Sequence, residues 1–330
     1  MNTLHFWWKN ARPISLPQSL LPAVLAVCLA TKMPGFSIYL SILAVVGVAL
    51  AHLCSNLLDD YFDYRSTDTT TLRYDLQRKG MRARIAKCDY LTSGKTTLNK
   101  LFAVCSILGV AAMTIGVIIF LQRGVGILYF TFIGALLGFF YSGPLFKLSY
   151  RGLGEIVIGL MFGPLLMCGV YHAASGALDW ATLFISISVG LLVVNIVYSH
   201  SIMDYEPDKS CGKMTFAVLL NNKIYMLIAL FIILFFAFTL IITGIILGYL
   251  AIPYLFVLLM LPMAVSQFFL MHQFVKYPQK TFKPRFWMGP MGNWKGIKQA
   301  GIDWFMIRWL LARNLLSFFC LIIIIVTFVF

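Results

Sequence analysis

Nine long apolar runs constrain this chain more than any other feature, falling at about 14–31, 36–58, 98–121, 126–145, 152–174, 180–203, 223–247, 250–274 and 308–330. Each has roughly the 20 residues needed to cross about 30 Å of hydrocarbon. Backbone amides inside lipid must find partners within the protein, which leaves helices or closed barrels. The runs are too long and too continuously apolar for barrel strands of about 10 alternating residues. The expected fold is therefore all-α, a polytopic membrane protein built as a nine-transmembrane-helix bundle, with residues 1–330 forming one domain. Lys9 and Arg12 precede the first run as they would in a signal peptide, but Pro17, Pro22 and the runs that follow mark it as a retained helix.

Charge sets the orientation. With alternating sides, the N-terminus and the segments 59–97, 146–151, 204–222 and 275–307 share one face. Of 26 Lys and Arg, only Lys32 and Arg123 fall on the other face, so the positive-inside rule places the long loops and the N-terminus in the cytoplasm. Topology and attraction to anionic lipid account for a basic face without any ligand. No nucleic-acid-binding module is visible, and nothing points to an obligate protein partner. The seven cysteines are scattered, without the spacing of a zinc site or a disulfide framework, and read as small buried hydrophobes. The Pro-, Gly- and Trp-rich segment 276–304 reads as a piece lying along the membrane surface or re-entering it before the last helix.

Acid is scarce and grouped. Of 12 Asp and Glu, Asp59, Asp60, Asp63 and Asp68 stand together near the end of the second run, and Asp204, Glu206 and Asp208 at the end of the sixth. At 100° per residue Asn56, Asp59, Asp60 and Asp63 share one helical face, and Asp204 and Asp208 are one turn apart. Carboxylates from two helices suit a hard divalent cation, and magnesium prefers a few carboxylates, waters and phosphate oxygens to an all-protein cage. Arg12, Arg65, Lys147, Arg151, Lys209 and Lys213 lie close by in sequence and suit the remaining charge of a bound phosphate. Glu155, just inside the fifth run, is either functional or a residue that snorkels or pairs with Arg151. His200 suits a general base or an ordinary interhelical hydrogen bond, and His52 shares that ambiguity.

These residues resemble the UbiA superfamily of intramembrane prenyltransferases. Asp204-xxx-Asp208, followed by Lys209-xx-Gly212-Lys213-x-Thr215-x-Ala217-Val218, is similar to the second acid motif of that family and its continuation. Arg12-Pro13-Ile-Ser-Leu16-Pro17, the stretch Asn56 to Asp68, and Tyr141 to Glu155 resemble motifs of the 1,4-dihydroxy-2-naphthoate prenyltransferase branch of menaquinone synthesis. The chain departs from the family at Asp59, where Asn is usual, and at His200-Ser201-Ile-Met203, where that branch carries an Asn- and Arg-containing pattern.

The resemblance implies transfer of a polyprenyl group from its diphosphate to an aromatic acceptor, with magnesium, two ions bridging the diphosphate, as cofactor. It implies metal binding by Asp59, Asp63, Asp204 and Asp208, supported by Asn56, Asp60 and Asp68. Asp60, Asp63, Asp204, Asp208, Lys147 and Tyr141 would serve catalysis, and Arg12, Asn56, Arg65, Arg151, Lys209, Lys213 and His200 would bind substrates. Phe139, Phe140, Tyr141 and Phe162 are positioned to stabilise an allylic cation through their π faces. The acceptor expected is 1,4-dihydroxy-2-naphthoate, with 4-hydroxybenzoate, homogentisate, haem, chlorophyllide and a glycerol lipid as alternatives. A transporter is the competing class, although it usually places acids near mid-membrane at broken helices. A non-catalytic scaffold would leave the paired clusters unexplained.

Overall fold

The computed structural model describes residues 3–65 and 88–330, and these residues are helical apart from loops and one isolated backbone pairing of Arg151 with Met214. Seven helices are long and apolar enough to cross a membrane: α3 (Ile38–Arg65), α5 (Leu98–Arg123), α7 (Gly154–Ser175), α8 (Trp180–Met203), α11 (Lys223–Ile246), α12 (Ile252–Lys276) and α14 (Asp303–Val329). The expected first and fourth spans form shorter apolar helices, α2 (Pro17–Ala30) and α6 (Gly126–Ser142). The remaining helices, α1 (Thr3–Asn10), α4 (Asp89–Thr92), α9 (Tyr205–Ser210), α10 (Phe216–Leu220) and α13 (Trp294–Gln299), are short.

Local chemistry explains where the two shorter helices stop. Pro17 opens α2, where its missing N–H loses nothing. Gly143 takes an extended conformation (φ −66°, ψ 157°) ahead of Pro144, as a residue before proline prefers, and this ends α6. By contrast α3 runs for 28 residues, about 42 Å at 1.5 Å each, so its last turns extend past the hydrocarbon and carry the aspartates to the membrane boundary.

The core centres on α8 and α14, the most deeply buried helices. Along its apolar length α8 buries Ser186, Ser188, Asn195 and Ser199, and Gln267 of α12 donates to Ser199 Oγ at 2.9 Å. Such interhelical hydrogen bonds hold helices together where lipid supplies no hydrophobic drive. α7 crosses α8 at backbone contact: a methyl group on Gly163 would meet Gly190 Cα at 2.6 Å, and one on Gly190 would meet Gly159 O at 2.6 Å. A single π-helical turn, Met161–Leu165, absorbs Pro164 at this crossing. At the end opposite the aspartates, Arg123 donates to Gly35 O at 2.7 Å, Ala173 O at 2.9 Å and Ala174 O at 2.7 Å, tying the last turn of α7 to the α2–α3 loop.

A smaller apolar cluster gathers the N-terminal segment, α3, α4 and α5 through Ala11, Leu53, Leu57, Tyr90, Leu91 and Leu101. It seats residues 11–17 and 88–92 against the acidic end of α3.

Candidate active site

Each aspartate of α3 draws in a different segment, while Asp59 and Asp60 share Arg12 at 3.5 Å and 3.2 Å. Asp59 accepts a hydrogen bond from Ser142 Oγ at the end of α6. Asp60, 2% exposed, accepts from Tyr90 Oη at 3.0 Å and lies 3.2 Å from an Arg12 guanidinium nitrogen. Asp63, 7% exposed, accepts from Tyr150 Oη at 2.8 Å. One helix end thus organises the N-terminal segment, α4 and the α6–α7 turn. Asp68 lies outside the described residues.

Arg12 adopts a left-handed backbone (φ 57°, ψ 56°), uncommon for a residue with a side chain, and donates to Asn56 O at 2.5 Å. Burial alone would depress its pKa, but the Asp60 and Asp59 carboxylates outweigh that and raise it, so the guanidinium stays charged. Asn56 faces the same segment, its amide nitrogen donating to Ala11 O at 2.9 Å and Ser15 Oγ at 3.0 Å. Ser15 and Ser19 bracket the two His52 ring nitrogens at 3.0 Å and 2.7 Å. Asn56 and His52 therefore act first as clamps on the Arg12–Pro17 strap. Tyr90 is driven well above the ordinary tyrosine range by burial and then by Asp60, which keeps its hydroxyl a donor.

The second cluster closes α8. Asp204 and Asp208, 2% and 3% exposed, are joined by Asp208 N donating to Asp204 O at 2.8 Å. His200 Nε2 sits 3.0 Å from Asp204 Oδ2, and its ring packs edge-on against Phe305 of α14 with centroids 5.0 Å apart. Lys213 N donates to Asp208 O at 2.9 Å, so the loop folds back beside the acid it follows.

Tyr150 links the two clusters. While its hydroxyl holds Asp63, the Lys213 and Lys147 ammonium groups lie 5.6 Å and 6.0 Å from its ring centroid, within cation–π range. The resemblance motif contained Tyr150, but the sequence reading gave it no role. The turn that carries it is stapled to the loop that carries Lys213: Arg151 pairs with Met214, and Gly152 N donates to Met214 O at 2.6 Å. Glu155, 3% exposed, completes the staple by accepting from Ser201 Oγ and from Phe216 N at 3.3 Å. It therefore neither snorkels nor relies on Arg151.

Other expected residues stand further out. Lys209 Nζ engages Asn221 Oδ1 at 2.8 Å and Tyr205 Oη at 3.2 Å, and Arg65 lies over Tyr61 on its own helix. The Arg151 side chain is exposed. Tyr141 presents its carbonyl to Ser149 Oγ at 2.8 Å. Phe162 points inward against His52 at 5.2 Å, whereas Phe139 is substantially exposed beside Phe62.

Among the described residues, no three acidic, His or Cys side chains converge closely enough to hold a metal ion alone. The donors that are present still fit magnesium: buried hard-oxygen carboxylates on two helix ends, with cations between them, suit ions whose other ligands are phosphate oxygens.

Among the described residues, an all-helical membrane bundle sets two buried aspartate pairs at the ends of α3 and α8, linked through a tyrosine and lysines. Residues 19–294 match the UbiA prenyltransferase family, and the chain belongs to it. It is 24% identical over 220 residues to 1,4-dihydroxy-2-naphthoate octaprenyltransferase of Bacillus subtilis, covering 66% of each chain. To UbiA prenyltransferase domain-containing protein 1 of Danio rerio it is 28% identical over 290 residues, covering 84% of this chain and 80% of that one. The matched region spans just under two thirds of the Bacillus relative and 56% of the Drosophila melanogaster homolog. Among solved structures, a UbiA homolog from Archaeoglobus fulgidus bound to GPP and Mg2+ superimposes with a TM-score of 0.61 at 16% identity, covering 93% of this chain and 98% of that one. A structure described for digeranylgeranylglyceryl phosphate synthase in membranes gives 0.63 at 17%, covering 99% of both chains. At these identities the likeness establishes the fold.

Proposed function

We propose that this protein transfers a polyprenyl group from its diphosphate to an aromatic acceptor, with 1,4-dihydroxy-2-naphthoate the acceptor of choice, as a step of menaquinone synthesis. The observation that carries this reading is the Asp63–Tyr150–Lys213–Asp208 connection, which joins the two buried acid clusters through a tyrosine and a lysine. The names of the naphthoate octaprenyltransferase relatives support the acceptor. The distribution of Lys and Arg supports a mouth on the cytoplasmic side of the membrane.

Asp59, Asp63, Asp204 and Asp208 are the residues that would hold magnesium, two ions in all. When bound, magnesium offsets diphosphate charge as the allylic C–O bond breaks and the diphosphate leaves with the electron pair. Arg12, Lys147 and Lys213 add positive charge at the same boundary and favour that departure. Asp60 keeps Arg12 in place, while Asn56 and His52 hold the strap that carries it. The apolar bundle below the aspartates, including Phe162, excludes water from the allylic cation. The electron-rich ring carbon then forms the new C–C bond, and a naphthoate acceptor loses carbon dioxide from that carbon.

His200, edge-on to Phe305 beside Asp204, stands where the naphthoate branch carries a different pattern, and this favours a second reading in which the family chemistry is kept and the acceptor differs. Product mass after incubation of the purified protein with magnesium, a polyprenyl diphosphate and a panel of acceptors separates the two. A prenylated, decarboxylated naphthoquinol is expected, or its quinone after oxidation by air during isolation. Another prenylated product moves the acceptor, and no magnesium-dependent consumption of any donor overturns the enzyme reading in favour of transport.

A further inference from the structure

The chain between α12 and α14 folds back along the bundle. Leaving α12 at Lys276, it turns so that Lys280 Nζ meets Gln273 Oε1 at 3.0 Å, Phe282 meets Phe269 with ring centroids 6.1 Å apart, and Trp287 Nε1 donates to Ser266 Oγ at 3.2 Å. The α12 partners run in reverse order, 273, 269 and 266, so the segment descends toward the membrane. Ser266 lies about 15 Å back from Lys276 at 1.5 Å per residue. Asn314 of α14, 2% exposed, fixes the lowest part by donating to Met288 O and Pro290 O, both at 2.9 Å, and Met288 and Met291 are buried beneath it. The chain then rises through α13 to the start of α14.

The tip faces outward. Phe286 is 92% exposed and Trp287 43%, beside the outward-facing Val265 and Phe269 of α12. Such an aromatic pair is unfavourable in water and suits the boundary between headgroups and acyl chains. Around it stand Lys276, Lys280, Lys283, Arg285, Lys295 and Lys298, with no Asp or Glu anywhere from 276 to 302. Arg285 lies over the Trp287 ring at 5.9 Å and Lys280 over the Phe282 ring at 5.5 Å, so the apolar stems follow the aromatics while the charged ends can reach upward.

We propose that residues 280–287 form a binding site for anionic phospholipid in the leaflet on the aspartate side. Phe286 and Trp287 insert at the acyl boundary, and Lys280, Lys283 and Arg285 hold headgroup phosphates. Charge complementarity selects the occupant, since three cations in a segment that holds no acid favour a net-negative lipid over a zwitterionic one. The site stands apart from the prenyl-transfer residues and does not depend on the proposed reaction.

The test uses the full-length protein in bilayers containing brominated phosphatidylcholine or brominated phosphatidylglycerol, with Trp287 followed as the difference between wild type and Trp287→Phe. Both lipids are expected to quench Trp287, the anionic one more strongly, with anionic lipid enriched about fivefold for each basic side chain engaged. The preference is expected to vanish in the Lys280→Gln/Lys283→Gln/Arg285→Gln variant, with quenching by phosphatidylcholine retained. Absence of quenching by either lipid would place the tip in water and overturn the proposal. Equal quenching by the two lipids in wild type, or an unchanged preference in the charge variant, would overturn it equally. The wild-type comparison decides even if the variant fails to fold.

Discussion

Replacing Tyr150 by Phe removes one hydroxyl and leaves the aromatic ring between Lys147 and Lys213. The lost bond, 2.8 Å from Tyr150 Oη to Asp63 Oδ1, is charge-assisted. Hydrogen bonds to charged groups contribute about 1.5–3 kcal/mol, and because Tyr150 is only partly buried the lower end applies. At about 1.4 kcal/mol per decade, a loss of about 10-fold in kcat/KM is expected if the hydroxyl keeps Asp63 in its working position. The magnesium concentration for half-maximal rate should rise as well, since a carboxylate held less firmly must be ordered further by the ion. Tyr150→Leu removes the ring too, and two cation–π contacts of about 0.5–1 kcal/mol each at exposed sites should deepen the defect by a further factor of about 5 to 30. The assay is the initial rate of diphosphate release against magnesium concentration at saturating acceptor. Wild-type rate and wild-type magnesium dependence in Tyr150→Phe would refute the reasoning, because they would show that Asp63 works without Tyr150.

Asp63→Ala and Asp208→Ala should each lower turnover by about 100- to 1000-fold, on the scale of losing a principal electrostatic group, while the purified variants keep wild-type helicity and membrane insertion. Chelation by EDTA should stop the wild-type reaction and added magnesium restore it, as followed by prenyl diphosphate consumption. Gly163→Leu puts a side chain where a methyl already meets Gly190 Cα at 2.6 Å, so destabilisation of about 1–3 kcal/mol or more from overpacking should appear as a lower thermal unfolding temperature in detergent. Tyr90 is held protonated in the folded state, with its pKa above the ordinary 10.0, so its contribution to stability is present below pH 10 and is lost as pH rises from there toward the folded value. Wild type should accordingly lose more stability than Tyr90→Phe between neutral and strongly alkaline pH, measured by thermal unfolding.

Hydrophobic run length and acid placement made the bundle and the two clusters legible in the sequence. Run length overstated α2 and α6, because local backbone preference ends a helix: the extended Gly143 before Pro144 stops α6 although apolar residues continue to Phe146. Helical periodicity correctly put Asn56, Asp59, Asp60 and Asp63 near one another, but it carries no information about partners distant in sequence. The division of labour therefore emerged only from the fold: Asn56 clamps Ala11 and Ser15, Asp60 secures Arg12 and Tyr90, and Asp63 takes Tyr150. Tyr150 lies inside the Tyr141 to Glu155 stretch, but a tyrosine in an aromatic-rich chain carries no distinctive sequence signal of its role. Glu155 is conspicuous as an acid inside an apolar run, but its partners Ser201 and Phe216 are ordinary residues that nothing in the sequence connects to it.

The glycine crossing of α7 and α8 bears on how this chain can change length. Gly159, Gly163 and Gly190 bring the two backbones into contact, with Val194 packed against Gly159, and the pair acts as a fixed ruler. Glu155 stands one turn above Gly159 on α7. A single residue inserted between them would rotate its carboxylate by about 100°, away from Ser201 and Phe216 N. The loop bearing Lys213 would then lose its anchor although every residue of both acid clusters remained. The spacing from Glu155 to Gly163 thus sets the register that anchors the loop bearing Lys213.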